Sequence, residues 1–192
     1  KNRTLGILEE FNYFTSIDFL KYGFYGNASS SLLRNKLSFS FGFRSDADTF
    51  TQGSSISDNF SPRISFSYKI SEDNKWKINA SLGRYYKIPT YTMLGFKNID
   101  ENFINKANRY IQSNHYVLGI EHNWTPTSRL TIEGFLKEYS QYPVSVNDQV
   151  SLANKGGGFE VLGNEPIIDT GKGKSYGIEL LFQQKLNKQF YG

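Results

Sequence analysis

Few residues in this chain have the types and spacing that chemistry needs. Gly171 to Ser175 reads Gly-Lys-Gly-Lys-Ser, the end of a loop that would cradle phosphates with backbone N–H groups and a lysine. That motif requires glycine at position 168, where Ile168 stands, and a helix afterwards, where the pattern is that of a strand. Asp46, Asp48 and Asp58 offer hard oxygen ligands of the kind Ca²⁺ wants, but without the glycine and distal glutamate of a calcium loop. They read as solvated loop carboxylates. His115 and His122 are seven apart on a strand, so they lie on opposite faces and cannot chelate one ion together. Neither has a serine, cysteine or carboxylate arranged beside it as a nucleophile relay. The sequence therefore assigns no catalytic residue, no metal and no cofactor.

Charge is equally uninformative about a polyanionic partner. The net charge of +4 over 192 residues is spread along the chain, and the run Arg84, Tyr85, Tyr86, Lys87 is the only local mixture of cations and rings. A nucleic-acid surface would cluster both, so that partner is not expected. Cysteine is absent, which fits an envelope protein without requiring one.

The elements that must position these residues carry the stronger signal. Residues 60–70 place Ile64, Phe66, Tyr68 and Ile70 on one face, and Arg63, Ser65, Ser67 and Lys69 on the other. Residues 75–87 do the same with Trp76, Ile78, Ala80 and Leu82 against Lys77, Asn79, Ser81 and Gly83. The alternation recurs at 36–44, 114–124, 129–141 and 174–186, and more weakly at 20–33, where Gly23, Gly26 and Ala28 blur it. Period-two alternation repeated in this way predicts an all-β, antiparallel, up-and-down sheet with one apolar and one polar face. Mean hydropathy is −0.50 and no run of about 18 apolar residues exists, so no membrane-spanning helix is predicted. A transmembrane β-barrel remains open, because its strands need only about 9–11 residues and half of them are polar.

Connections alternate in length. Short turns are expected at Arg34 and Asn35, at residues 71–74, at Thr125 to Ser128 and at Asn187 to Gln189; long loops span 45–59, 88–110 and 142–173. In outer-membrane barrels the short turns share the periplasmic rim and the long loops face outward. Trp76 and Trp124 each lie next to a short turn, at one height, as members of an interfacial aromatic belt would. Arg84, Glu138 and Lys174 break the apolar face four or five outward positions further along. With strand rise and tilt this marks an apolar band on the order of 20–25 Å tall, with these three at its outer rim, where Arg84 and Lys174 would meet anionic headgroups.

The run SPRISFSY with its turn and KINASLGRYYKIPTYTMLGF resembles the barrel of TonB-dependent outer-membrane receptors. So do NHYVLGIEHNW with RLTIEGFLKEYSQYP, GKSYGIELLFQQKL with FYG, and the Gly-x-Glu elements at Gly119 to Glu121 and Gly177 to Glu179. The resemblance covers residues 20–192. It implies a barrel of about 22 strands closed around a plug, of which this chain would supply a sector of seven to eight strands within one barrel domain. The plug domain, the remaining strands and the energy-coupling box lie outside it. The implied place is the outer membrane of a Gram-negative bacterium. The implied partners are membrane lipid, the protein's own plug and remaining strands, the TonB complex, and a small or oligomeric nutrient such as a siderophore, oligosaccharide or peptide.

Two surfaces compete for recognition. Glu121, Glu133, Lys137 and Glu179 point inward by parity and read as a salt-bridged lining, or a dock for the plug, in preference to a substrate path. Tyr85, Tyr86, Pro89 and Tyr91 gather where a strand enters the loop 88–110 and are the candidate ligand-stacking residues, against the simpler reading of an upper aromatic belt. Gly156, Gly157, Gly158 and Gly163 predict a mobile or tightly turned loop. Two other functional classes fit the alternation: a structural or assembly barrel without cargo, and a soluble all-β binding module.

Overall fold

The computed structural model describes residues 3, 4, 7, 8, 14–53, 55–71, 73, 75–155 and 162–185. A small pair, β1 (Arg3–Thr4) and β2 (Ile7–Leu8), precedes the main sheet. The sheet consists of β3 (Lys21–Leu32), β4 (Leu37–Asp48), β5 (Ser61–Lys69), β6 (Trp76–Lys87), β7 (Ile111–Thr125), β8 (Ser128–Ser145) and β9 (Ile167–Gln184). Its spatial order is the chain order and every pair is antiparallel. It is the expected up-and-down sheet, open at β3 and β9 among the described residues, as a sector of a cylinder wall would be.

The two faces separate by side-chain type. Reading across the register, Phe66, Ala80, Leu118, Gly134 and Ile178 form one row of the apolar face, and Ile64, Leu82, Tyr116, Leu136 and Tyr176 form the next. Among the described residues nothing covers them: Leu118 is 62 % exposed, and Tyr176 and Ile178 are each 80 % exposed. A sheet in water would hide such a face against a second layer. Here the polar side chains are the sheltered ones, with Ser113, Glu121 and Thr131 all buried.

Strand lengths correct the sequence reading at one end. The strand expected over 129–141 runs on to Ser145, and its partner starts at Ile167 rather than at position 174, so the loop expected over 142–173 shrinks to residues 146–166. The cause is a bulge. Register shifts between Tyr139 and Tyr142, where Gln141 takes φ 57°, and again before Val144. Such a bulge breaks the alternation and admits Pro143 into a strand. The loop before β5 likewise shortens to residues 49–60, and the loop 88–110 contains a single helical turn, α1 (Tyr91–Leu94). The glycines at 156–158, the turn at 187–189, and Glu72 and Asn74 lie outside the described residues.

The short turns between β3 and β4, β5 and β6, and β7 and β8 share one end of the sheet, and the long loops share the other. Each turn has its own chemistry. Leu33, Arg34 and Asn35 all take positive φ, closing the first hairpin with a Lys36 N–H to Leu33 carbonyl bond of 3.1 Å. Between β5 and β6, Ser71 Oγ donates to Asp73 Oδ1 at 2.6 Å, while the N–H groups of Lys75 and Trp76 donate to Asp73 and Ser71. The Ser71 hydroxyl and then the Lys75 N–H draw the Asp73 carboxyl down from 3.8 to about 2. A carboxyl depressed in the folded state contributes stability above its unfolded value that is lost as pH falls through its folded one. Comparing thermal melts of wild type and Asp73→Asn in detergent should therefore show a wild-type advantage at neutral pH that disappears between 3.8 and about 2; an advantage independent of pH would contradict this account of the turn.

Candidate functional site

Three regions carry the candidate residues: a row at each height of the apolar face, the polar wall, and the long-loop end. At the turn end, Trp76 pairs in register with His122 and their rings lie 4.0 Å apart. His122 is 5.0 Å from Trp124, which is 6.2 Å from Phe182, so four rings run side by side across β6, β7 and β9. At the other end, register links Arg84 to Asn114, Asn114 to Glu138, and Glu138 to Lys174 in one unbroken row. Arg84 Nε donates to Asn114 Oδ1 at 3.1 Å, and Lys174 Nζ meets Glu138 at 2.9 Å. The two sets are thus separate rows on one face, with Trp76 and Arg84 eight residues apart along β6.

The three candidate tyrosines do not share a surface. Tyr85 and Tyr86 are neighbours on a strand, so alternation sends them to opposite faces. Tyr85 lies on the polar face, its ring 4.5 Å from the Arg63 guanidinium and 4.5 Å from His115. Tyr86 donates to Gln112 Oε1 at 2.9 Å and packs against the loop core. Tyr91 sits on α1 with its ring edge-on to Phe19 at 5.6 Å, while Pro89 is fully buried.

On the polar wall Glu121 accepts from Lys77 Nζ at 2.8 Å and from Asn123 at 2.9 Å, with Arg129 at 3.7 Å. This three-strand cluster is the salt-bridged lining that parity predicts for Glu121. Glu133 and Glu179, by contrast, face each other in register. His115 shares a 2.7 Å hydrogen bond with Ser113 and lies on the opposite face from His122.

The long loops build their own core. Phe50, Ile88, Leu94 and Tyr110 are buried together, and Met93, Leu152 and Ile167 form a second cluster beside α1. Asp48 organises the first: its carboxylate accepts from the N–H groups of Phe50 and Thr51, from the Thr51 hydroxyl, and from Tyr110 at 2.7 Å. Burial first, and the Asp48 carboxylate second, hold the Tyr110 phenol far above its ordinary value, so it stays a donor. Asp46 is held bidentately by Arg44 and Asp58 by Ser55, so the three aspartates do separate local work. Among the described residues no group of three or more His, Cys, Asp or Glu could hold a metal ion.

Asn105 and Asn108 tie the loops together, and no sequence signal distinguished them. The Asn105 amide donates to the carbonyls of Met93 (2.8 Å) and Glu165 (2.9 Å) and accepts from the Ile167 N–H at 3.0 Å. Asn108 adds bonds to the carbonyls of Asn105 and Ile167. Removing the Asn105 amide strands three backbone groups at a site only 1 % exposed, each worth about 1–3 kcal/mol when left unsatisfied. Limited proteolysis of an Asn105→Leu variant should show faster cleavage within 88–110 and 146–166 with the strands intact; cleavage at the wild-type rate would refute the clamp.

No curated protein matches the chain. A family model described as "TonB dependent receptor-like, beta-barrel" matches residues 2–192. That match spans nearly the whole length, and it agrees with the sequential antiparallel sheet, the exposed apolar face and the alternation of short turns with long loops. The family is one of outer-membrane receptors that act as transporters, and the chain belongs to it as a TonB-dependent receptor β-barrel.

Proposed function

We propose that this chain forms part of the wall of a receptor in the outer membrane of a Gram-negative bacterium, which imports a scarce nutrient such as a siderophore, oligosaccharide or peptide. The uncovered apolar face carries the reading. Among the described residues no second layer packs against it, and hydrocarbon is the solvent in which leaving it open costs nothing. Ala80 and Gly134 occupy a row of larger neighbours and leave a groove of about 920 Å³ lined by Leu82, Tyr116, Leu118, Leu136 and Ile178, a shape suited to lipid chains.

In this reading Trp76 and Trp124 form the periplasmic aromatic belt, and Arg84, Glu138 and Lys174 mark the outer rim. The tall polar wall faces a lumen that holds the plug domain. The edges β3 and β9 pair with the remaining barrel strands, and the energy of uptake comes from the TonB complex through segments other than this sheet. Tyr91, exposed on the loop end, is the candidate tyrosine best placed to meet a ligand arriving from outside. Deleting the gene should produce a growth defect confined to one class of limiting nutrient, restored by the intact gene only while TonB energy coupling is active. A structural barrel predicts no such nutrient-specific defect, and that result would overturn the import reading.

A further inference from the structure

The polar wall is not uniform in charge. Three successive register rows, those holding Arg44, Arg63 and Ser65, contain Arg44, Arg63, His115 and Lys137 but not one carboxylate on any of the seven strands. Acids lie on either side: Asp46 above, already gripped by Arg44 at 2.6 Å, and Glu133 with Glu179 below. Arg63 and Lys137 make no ion pair among the described residues, and their close partners are rings: Tyr85 at 4.5 Å and Phe135 at 4.9 Å.

The stack at Arg63 is built in. A side chain at Gly83 would meet the Tyr85 ring at 2.9 Å, so only glycine lets that ring lie down over the strand. In that position Tyr85 is held between Arg63 and His115, fixing the guanidinium by its face. Its N–H edges stay free for a planar, two-oxygen acceptor, the geometry that carboxylate and phosphate present. Beside it opens a concavity of about 440 Å³ whose lining is mixed: Arg44, Arg63, Asn27 and Ser65 can hydrogen-bond, while Phe43 and Leu82 are apolar.

We propose that this band is an anion-binding subsite on the inner wall, taking solutes that carry carboxylate or phosphate groups, with Arg63 as the oriented fork and Lys137 as the second charge. The inference rests on the receptor reading, since it needs the polar face to line a passage that solute enters. It gives the cargo a chemical class. The serine-rich rows below Arg63 would then hold the uncharged, hydroxylated part of the same molecule.

Titration calorimetry on the full-length receptor in detergent, with citrate and inorganic phosphate as probes, tests the subsite. Wild type should bind at least one of them, the Arg63→Gln, Lys137→Gln double variant should bind about tenfold or more weakly, and Lys36→Gln in the hairpin turn should match wild type. Wild type that binds neither probe would show that these cations serve another partner, such as carboxylates of a plug, and would overturn the proposal. So would a double variant that binds as tightly as wild type. Failure of the receptor reading looks different: the full-length protein would remain monodisperse without detergent.

Discussion

A backbone N–H or C=O carried into hydrocarbon has no water to fall back on, and a strand cannot satisfy itself. Every strand of this sheet must therefore be paired along its whole membrane depth by its neighbours, and that requirement dictates the rest. Unbroken ladders enforce period two, and period two enforces two chemically distinct faces. The positions of the bulges show the constraint at work. Between the row of Trp76 and the row of Arg84 no register shift occurs among the described residues; the shifts fall at Asn123 to Thr125 and beyond Tyr139. Irregular backbone is confined to the ends, where water can reach it.

The same constraint explains why the molecule has two kinds of core. In the span there is no buried apolar layer, because lipid takes that role, and specificity comes from register and from contacts on the polar side such as Lys77 with Glu121. Past the span the loops are in water, and they must bury Phe50, Leu94, Tyr110 and Met93 in the ordinary way. The buried carboxylate of Asp48 and amide of Asn105 then have to be matched by protein donors and acceptors, and they are, while Asn108 matches its amide N–H groups and leaves its Oδ1 without a partner among the described residues. Ordered loops at the mouth of the wall follow from that second core.

Much of this was legible beforehand, and the parts that were not share a cause. Alternation around Ile64, Phe66, Leu82 and Leu118 identified both faces, and the same counting placed Arg84, Glu138 and Lys174 at one height, where register now joins them through Asn114. Proximity in sequence groups Tyr85 with Tyr86, whereas strand geometry sends them to opposite faces. The pattern leaves residues 142–145 of β8 and 167–173 of β9 in a loop because the bulge at Gln141 shifts its phase. The loop core was invisible for a different reason: Asn105 looks like any loop asparagine until three backbone groups, two of them sixty residues away, converge on it. Local periodicity reveals what depends on the strand alone; long-range closure has no such signature.

The central claim is that the apolar face meets lipid and the other face does not. Single spin labels at Cys substitutions of each residue from His115 to Ile120, in the full-length receptor reconstituted in bilayers, measure that directly through collision with dissolved oxygen, which concentrates in hydrocarbon. Oxygen accessibility should rise at 116, 118 and 120 and fall at 115, 117 and 119. A profile without this alternation, or with its phase reversed, would contradict the account.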